Sequence, residues 1–301
     1  MCRLFGMSGG TREVQATFWL LDAPTSLLLQ SETQPDGVGL GTFDDDGAPV
    51  VYRKPVTASR SQTFIADARE AHSRTFLAHI RHATAAQPTL ENTHPFQQDG
   101  RLFAHNGVLS NLDDLRAKLG SHAELMGGET DSEMYFTLMT KRIEEAGGDI
   151  EAGITAAARE LAADIPLYSL NMLLTTPTDI WALRYPDTNE LWILERSLAG
   201  FDDGAMFEQR STSGITRVFS AALALLPATV IASERMDSNP AWRLLEPGEL
   251  LHVDPQLRVT STIAAPDPPA EMMVLTAHEA ISQEEPEAAT APPDASSQGA
   301  A

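Results

Sequence analysis

Short apolar runs alternate with amphipathic stretches along the first half of the chain, and this alternation predicts strands and helices. Five apolar runs bounded by turn residues predict strands, namely CRLFGM, GVGLGTF, PVVYRK, TFLAHIRHA and RLFAHNG. Four segments have the pattern of helices, namely FIADAREAHS, LDDLRAKLG, SEMYFTLMTKRIEEAG and IEAGITAAARELAAD. After Ser169, strand-like runs follow one another as SLNMLLTT, DIWALRYP, ELWILER, TVIASER and ELLHVD. Such blocks predict an α+β fold in which stacked sheets lie between outer helices.

The pattern changes at Ala264. From there Pro, Ala, Ser and Glu are frequent, and no Lys or Arg occurs after Arg258. A segment of this composition cannot bury enough apolar surface to offset the entropy lost on ordering. We therefore predict one folded domain over residues 2–263, with its core motifs in 2–135, and a disordered acidic tail over residues 264–301.

Composition narrows the range of partners. Hydrophobic residues make up 43% and charged residues 21% of the 301 residues, as in soluble globular proteins. The formal net charge of −21 repels nucleic acid and anionic membranes. No apolar run approaches the roughly 20 residues of a membrane helix, and Asp22 and Pro24 interrupt FWLLDAPTSLLL. The N-terminus has no signal-peptide pattern, so we expect a cytoplasmic protein without nucleic-acid or membrane partners.

Cys2 is the only cysteine of the chain. A lone cysteine excludes an internal disulfide and a multi-cysteine metal site. It is most often a small buried hydrophobe, but its position behind the initiator methionine also suggests a nucleophile. Removal of Met1 by methionine aminopeptidase would leave a thiol and a free α-amine on one residue. Because the pKa of an α-amine is about 7.7–8.0, part of it is an unprotonated base at neutral pH.

Candidate chemistry is concentrated in residues 77–133, where AHIRHAT, NTHPF, FAHNGVLSNL and GETDSE follow one another. Four histidines in this region first suggest a metal site, namely His79, His82, His94 and His105. His79 and His82 are three residues apart in a predicted strand, so their side chains leave opposite faces. No HExxH or paired Cys/His motif occurs. The spacing therefore disfavours a metal centre.

The same region contains the parts of a site for an α-amino acid. Arg81, near the end of a predicted strand, is suited to bidentate binding of a carboxylate. Asp131, at a predicted helix start after the T-x-x-E capping box of Thr130, is either an ordinary cap or a fixed anion for an ammonium group. Asn106 and the following glycine form either a simple turn or an oxyanion hole.

This ordered set of motifs resembles the class II glutamine amidotransferases, which are N-terminal nucleophile hydrolases. The resemblance rests on Cys2 with RHAT, NTHPF, AHNG and ETDSE, and it covers roughly the first two thirds of the chain. It implies a four-layer αββα sandwich. The implied site residues are Cys2 as nucleophile, Arg81 and Thr84 for the substrate carboxylate, Asp131 for the amine, Asn106 and Gly107 as the oxyanion hole, and His94 and His105 as pocket-shaping residues.

Two positions depart from the family pattern. His82 stands where larger members often have tryptophan, and QPDGVG lacks the Arg-Gly-Tyr-type turn of synthase-linked members. The latter stretch is closer to the Asp-Gly-aromatic-Gly stretch of small standalone members, with Val38 in place of the aromatic residue.

The function that follows is a cysteine-dependent amidohydrolase that needs no cofactor or metal. It would cleave the γ-amide of glutamine or of a γ-glutamyl conjugate through a γ-glutamyl thioester on Cys2. The alternatives are a glutaminase subunit that supplies ammonia to a separate synthase, and a catalytically silent scaffold on the same fold. We favour hydrolysis of a γ-glutamyl conjugate because the sequence contains no phosphate-binding Gly-rich loop and because this reaction requires no synthase partner.

Overall fold

The computed structural model describes residues 2–82, 87–196, 208–210, 217–219, 227–276 and 280. Within them, two large antiparallel sheets form the centre of the fold. The first sheet has the spatial order β13 (Arg243–Leu244), β9 (Trp192–Arg196), β12 (Ala228–Ala232), β1 (Arg3–Ser8), β4 (Thr75–Arg81), β2 (Gly37–Phe43) and β3 (Pro49–Lys54). The second has the order β15 (Val259–Ile263), β14 (Glu249–Val253), β8 (Ile180–Leu183), β7 (Asn171–Thr175), β6 (Arg101–Asn106) and β5 (Phe96–Gln98). A separate pair is formed by β10 (Glu208–Arg210) and β11 (Arg217–Phe219).

Helices accompany the sheets. The α-helices in the described part of the chain are α1 (Leu27–Gln30), α2 (Gln62–Glu70), α3 (Leu112–Leu119), α4 (Asp131–Glu145) and α5 (Ile150–Asp164). A π-helical turn covers Phe18–Asp22, and 3₁₀ turns cover Ala58–Arg60 and Gly120–Leu125. In the part of the chain that the structure describes, no helix combines the length and the apolar character needed to cross a membrane.

Three apolar cores separate four layers. Helices α3, α4 and α5 pack on the second sheet around Phe103 and Phe136. On the other side, α2 and the segment 18–30 pack on the first sheet around Phe5 and Trp19. A third core, which includes Leu4, lies between the two sheets. This is the predicted αββα sandwich, and each fully buried large side chain contributes about 1.5–3 kcal/mol to its stability.

Strand alternation determines which residues face the layer between the sheets. In β1, Leu4 belongs to the inter-sheet core while Phe5 belongs to the outer core. In β4, Leu77 faces the inter-sheet core, so His79 and Arg81 follow on the same face. The polar ends of these strands therefore lie at the border of the inter-sheet layer.

Three glycines of β2 lie on the inter-sheet face of the first sheet, at alternate positions. A Cβ on Gly39 would lie 1.9 Å from the backbone oxygen of His94, and one on Gly41 would lie 3.1 Å from Pro95. A Cβ on Gly37 would lie 3.3 Å from the side chain of Thr93. The segment 93–95 thus packs directly on bare backbone, and at Gly39 no other residue fits without movement.

Residues 264–273 begin with two buried alanines, and backbone hydrogen bonds hold the rest of the segment to α5 and Leu167, which corrects the predicted start of the disordered tail at residue 264. Ala264 and Ala265 are buried in the core beside α5. The Arg159 Nε donates a hydrogen bond to the Ala264 oxygen at 2.6 Å. The Met273 N–H donates to the Leu167 oxygen at 2.9 Å. A disordered tail stays a prediction for residues 281–301, which lie outside the described residues.

Candidate active site

Cys2 lies directly before β1, at the end of the sheet where β4 also finishes. In the β1–β4 ladder Arg3 is opposite Ile80, which places Cys2 beside Arg81 and His82. The Cys2 Sγ accepts a hydrogen bond from the His82 N–H at 3.2 Å and donates one to the His82 oxygen at 3.5 Å. The backbone of residue 82 therefore holds the thiol, and the exchange of tryptophan for histidine there leaves these contacts intact.

The local environment keeps the thiol protonated. Burial raises the pKa of the Cys2 thiol above its ordinary value. The hydrogen bond from the His82 backbone and the positive charges of Arg81 and Arg3 oppose this increase without cancelling it. A thiol in this state needs a base that removes its proton during attack.

The beginning of β1 is also fixed from the side of β12. The Leu4 N–H donates to Ser233 Oγ at 2.8 Å, and the Ser233 N–H donates to the Leu4 oxygen at 3.1 Å. The next residue pair is ionic, because Arg3 Nε lies 3.5 Å from Glu234 Oε1. Arg3 is buried and Glu234 is half-buried, so the pair anchors the residue after the nucleophile.

Arg81 supplies a positive charge to the same end of the inter-sheet layer. Its side chain is 6% exposed, and its Nη1 donates to the Gln87 oxygen at 3.3 Å. Burial lowers the pKa of the guanidinium, and the negative charges of Asp36 and Asp131, together with the ionised form of the nearby Cys2, oppose this decrease. Because a guanidinium keeps its proton in proteins, the group stays charged and can bind a carboxylate.

Asp131 is the first residue of α4, and Thr130 rather than Asp131 caps the helix. The Asp131 Oδ2 accepts a hydrogen bond from the Leu109 N–H at 2.9 Å, and its Oδ1 accepts one from the Ser132 N–H at 2.8 Å. Each oxygen of a carboxylate has a second lone pair, so the group can accept further hydrogen bonds from an ammonium. The carboxylate is therefore a rigidly oriented anion.

The capping box at the start of α4 is only half formed. Thr130 Oγ1 accepts a hydrogen bond from the Glu133 N–H at 3.1 Å, as predicted. The Glu133 side chain does not return to the cap, because its oxygens accept from the N–H groups of Gly127 and Gly128 at 2.8 and 2.7 Å. Glu133 thus fixes the loop that precedes Asp131.

Asn106 ends β6 with an unsatisfied side chain. The residue is 0% exposed, and neither its Nδ2 nor its Oδ1 has a hydrogen-bond partner among the described residues. A buried amide without partners costs about 1–3 kcal/mol. Gly107 follows where a Cβ would lie 1.9 Å from the Ser169 oxygen and 2.6 Å from His105 Nε2, so no side chain fits. The pair offers donors at the end of the inter-sheet layer.

His105 lies on the opposite face of β6 and supports both neighbouring elements. One ring nitrogen, Nδ1, contacts Ser132 Oγ at 2.9 Å, and the other, Nε2, contacts the Ser169 oxygen at 2.9 Å. The residue thereby connects β6 with the start of α4 and with the chain before β7.

His94 packs against His79 with the ring centroids 4.1 Å apart and the ring planes tilted by 40°. Neither ring nitrogen of His94 has a hydrogen-bond partner among the described residues. Burial, and then the charge of Arg81, lower the pKa of His79 to about 3. Burial likewise lowers the pKa of His94 well below its ordinary value. Both rings are neutral at physiological pH, which suits the predicted pocket-shaping role of His94 and makes both poor proton carriers.

The remaining predicted residue, Thr84, lies outside the described residues. The structure brings Cys2 and Asp131 each within electrostatic reach of Arg81. Asn106 ends strand β6 of the facing sheet, and Gly107 follows it. Within the described residues, no group of three or more His, Cys, Asp or Glu side chains is arranged to hold a metal ion.

A polar network behind Asn106 was not predicted from the sequence. Asn171 pairs with Asn106 in the β6–β7 ladder, and its Nδ2 donates to the Asn189 oxygen at 3.1 Å. The Asn189 Nδ2 in turn donates to the Asn106 oxygen at 3.5 Å. Polar residues inside the apolar run SLNMLLTT were the signal that could have revealed this network.

Comparison with known proteins identifies the family. The model of the class II glutamine amidotransferases matches residues 1–274. The chain belongs to this family. A relative from Haemophilus influenzae, named "Putative glutamine amidotransferase", is 25% identical over 283 residues, which are 88% of each chain. The glutamine–fructose-6-phosphate aminotransferase of Yersinia pestis is 30% identical over 116 residues, but this match covers only 38% of the present chain and 19% of that enzyme. Membership indicates an enzyme that hydrolyses the amide of glutamine.

Solved structures agree on the fold of this class II amidotransferase. The glutamine phosphoribosylpyrophosphate amidotransferase of B. subtilis superposes with a TM-score of 0.61 at 18% identity, over 89% of this chain and 50% of that one. The glutamine aminotransferase class-II domain protein of Silicibacter pomeroyi superposes with a TM-score of 0.55 at 18% identity, over 88% of this chain and 100% of that one. Both comparisons support the N-terminal nucleophile hydrolase fold, and this chain spans half of the B. subtilis enzyme.

Proposed function

We propose that this class II amidotransferase cleaves the γ-amide of glutamine or of a γ-glutamyl conjugate through a γ-glutamyl thioester on Cys2. The observation that carries the proposal is the fully buried Asn106 amide, which has no partner among the described residues and ends the strand facing Cys2 and Arg81. A protein that used this pocket only as a scaffold would gain nothing from an unsatisfied buried donor.

Recognition of the glutamyl group would rest on two opposite charges. Arg81 would bind the α-carboxylate together with Thr84, and Asp131 would bind the α-ammonium. Fixed charges held by burial and by backbone hydrogen bonds bind an α-amino acid head with little reorganisation. Neither charged group would contact the amine part of the γ-amide. Glutamine and larger γ-glutamyl amides would therefore bind to Arg81 and Asp131 in the same way.

The reaction would proceed in two balanced halves. As Sγ bonds to the γ-carbonyl carbon, the thiol proton passes to the α-amine of Cys2, and the oxyanion receives hydrogen bonds from Asn106 Nδ2 and the Gly107 N–H. The C–N bond then breaks, and the leaving amine takes that proton. In the second half, water attacks the thioester carbon and gives a proton to the α-amine. The C–S bond breaks, the sulfur recovers the proton, and glutamate is released.

The nucleophile is tested by mass and by substitution. Intact mass spectrometry should show loss of Met1, and brief incubation with substrate should add one glutamyl group to residue 2. Cys2→Ala should abolish turnover without changing Tm. Turnover by a protein that retains Met1 would exclude the α-amine as base, whereas retention of Met1 without turnover would favour the silent scaffold.

The leaving group is tested with a panel of substrates. We propose a larger amine rather than ammonia, because hydrolysis of a γ-glutamyl conjugate needs no partner subunit. Release of glutamate should then be faster from one of several γ-glutamyl amines than from glutamine. Turnover of glutamine alone, increased by an added co-purifying synthase, would establish the ammonia-supplying function instead.

A further inference from the structure

We call Arg81 the carboxylate clamp and Asp131 the amine clamp of the proposed substrate site. Asn92 lies between these two clamps. It belongs to the NTHPF motif and is 3% exposed, and both ends of its side-chain amide are hydrogen-bonded. The proposed reaction assigns no role to Asn92.

One end of the Asn92 side chain leads to the carboxylate clamp. Its Nδ2 donates to the Gln87 oxygen at 3.2 Å. The same oxygen accepts a hydrogen bond from Arg81 Nη1 at 3.3 Å. Asn92 and the guanidinium of Arg81 are therefore joined through a single carbonyl group.

The other end of the side chain leads to the amine clamp. Its Oδ1 accepts a hydrogen bond from the Glu129 N–H at 3.1 Å, two residues before Asp131. Asn92 is closely packed against the loop before α4, because a Cβ on Gly128 would lie 2.5 Å from Asn92 Oδ1. Glu133 holds the same loop from the first turn of α4.

A purely local role for Asn92 does not account for this geometry. The turn that contains Asn92 is closed by Thr89, whose Oγ1 accepts from the Asn92 N–H at 3.3 Å and whose carbonyl accepts from Thr93 Oγ1 at 2.6 Å. The Thr93 N–H also donates to the Leu90 oxygen at 3.2 Å. The side-chain amide of Asn92 is not needed for this turn. Its Nδ2 shares the Gln87 oxygen with the Thr89 N–H, which donates at 2.8 Å, and its Oδ1 reaches outside the loop to Glu129.

We infer that Asn92 is a positioning residue that fixes the spacing between Arg81 and Asp131 and thereby makes the site selective for an α-amino acid head. This inference rests on the proposed function. A misplacement of about 1 Å in such a clamp can cost about a hundredfold in rate. Loss of the bridge should therefore weaken recognition of the glutamyl head while leaving the Cys2 thiol as reactive as before.

The test compares two labels of Cys2 by intact mass spectrometry. The diazoketone 6-diazo-5-oxo-L-norleucine presents the glutamyl head, whereas iodoacetamide does not. Asn92→Ala should lower the ratio of the diazoketone labelling rate to the iodoacetamide labelling rate at least about tenfold, and the iodoacetamide rate itself should change less than about twofold. Gly128→Ala retains Asn92 but pushes its Oδ1 away from Glu129, and it should lower the ratio in the same direction. Asn239→Ala is the control, because its side chain bonds the backbone only two residues away.

Turnover provides a second measurement. In the wild type, kcat/KM for glutamine should exceed that for 4-carbamoylbutanoate, which lacks the α-amine, and Asn92→Ala should reduce this preference mainly through the KM for glutamine. Unchanged labelling and substrate ratios in folded Asn92→Ala and Gly128→Ala would overturn the inference and leave the proposed function intact. A wild type that hydrolyses no γ-glutamyl amide would refute the proposed function, and the labelling ratio would still decide the role of Asn92.

Discussion

The carboxylate of Asp131 combines a structural contact with a proposed functional one. It orients Leu109 and Ser132 by accepting hydrogen bonds from their N–H groups. These contacts hold the oxygens in place before any substrate arrives. A preorganised anion loses little free energy on binding an ammonium, whereas a mobile one must first be ordered.

Removing this charge should impair recognition more than folding. Asp131→Asn keeps an oxygen acceptor but no negative charge, and we expect kcat/KM for the best γ-glutamyl substrate to fall by about 2–5 kcal/mol, the range for unpairing a buried charge. Steady-state kinetics measure the loss. Asp113→Asn, an exposed aspartate in the first turn of α3, is the control. An equal loss with a substrate that lacks the α-amine would remove Asp131 from this role.

Asn106 and Asn171 pair in the β6–β7 ladder. We expect loss of the first side chain to reduce activity and loss of the second to reduce stability. Asn106→Ala should lower kcat about 10²–10³-fold, as loss of an oxyanion donor does, and should not lower Tm, because its amide has no partner among the described residues and an unsatisfied buried amide is itself destabilising. Asn171→Ala should cost about 1–3 kcal/mol of stability, because its amide bonds Tyr185, Asn189 and Glu190. Thermal unfolding and kinetics of both variants check this. A large drop in Tm for Asn106→Ala would mean that the amide is structural.

At the level of elements, β2 and the segment 93–95 form one unit with β4. The glycines of β2 leave room for the backbone of His94, and the ring of His94 packs against His79 of β4. Both imidazoles are neutral because they are buried. The stability of this unit therefore depends on pH through the two histidines.

Acidification should destabilise the fold through these two histidines. The pKa of His79 falls from 6.5 in a model peptide to about 3 in the fold, so below pH 6.5 the unfolded chain binds a proton that the folded chain refuses. The contribution of His79 to the free energy of unfolding is fully present above pH 6.5, and it decreases by about 1.4 kcal/mol per pH unit as the pH falls toward 3. His94, whose pKa is also lowered by burial, acts in the same direction. Urea denaturation between pH 7 and 5 measures this slope. His79→Gln should reduce it, and His72→Gln, an exposed histidine, serves as control. An identical slope in both variants would contradict the assignment.

Elements with a strong apolar pattern could be predicted from the sequence, and weak ones could not. The segment PVVYRK was predicted as a strand and forms β3. β15 was missed because VTSTI has only two aliphatic residues and is mostly exposed. At the site, the identities of Cys2, Arg81 and Asp131 followed from motifs. The bridge through Asn92 did not, because hydrogen bonds between distant loops leave no periodic signal.

At the level of the whole molecule, the segment that follows β15 returns to the α5 side of the fold. Composition alone suggested disorder from residue 264, because Pro and Ala segments resemble linkers. The structure shows instead that this stretch contacts α5 and the chain before β7. Backbone pairing with Leu167, which composition does not encode, holds it there.

Two truncations separate the packed segment from the predicted tail. A chain that ends at residue 263 should lose the burial of Ala264 and Ala265 and the hydrogen bonds to Arg159 and Leu167, and its Tm should fall by several degrees. A chain that ends at residue 280 keeps these contacts and should retain the Tm and turnover of the full chain. Calorimetry and a γ-glutamyl assay compare the two. Equal Tm values would show that the packed segment adds no stability.

The bare backbone of β2 also limits how this enzyme can be redesigned. Every substitution at Gly39 adds atoms where the His94 oxygen lies, so a library that randomises this strand should return mainly misfolded clones. Gln87, Pro88 and Leu90 precede Asn92 and are exposed, so their side chains can be changed without steric conflict. Laboratory evolution toward other amide substrates therefore has to keep Gly39 and can instead vary the exposed residues next to the bridge between Arg81 and Asp131.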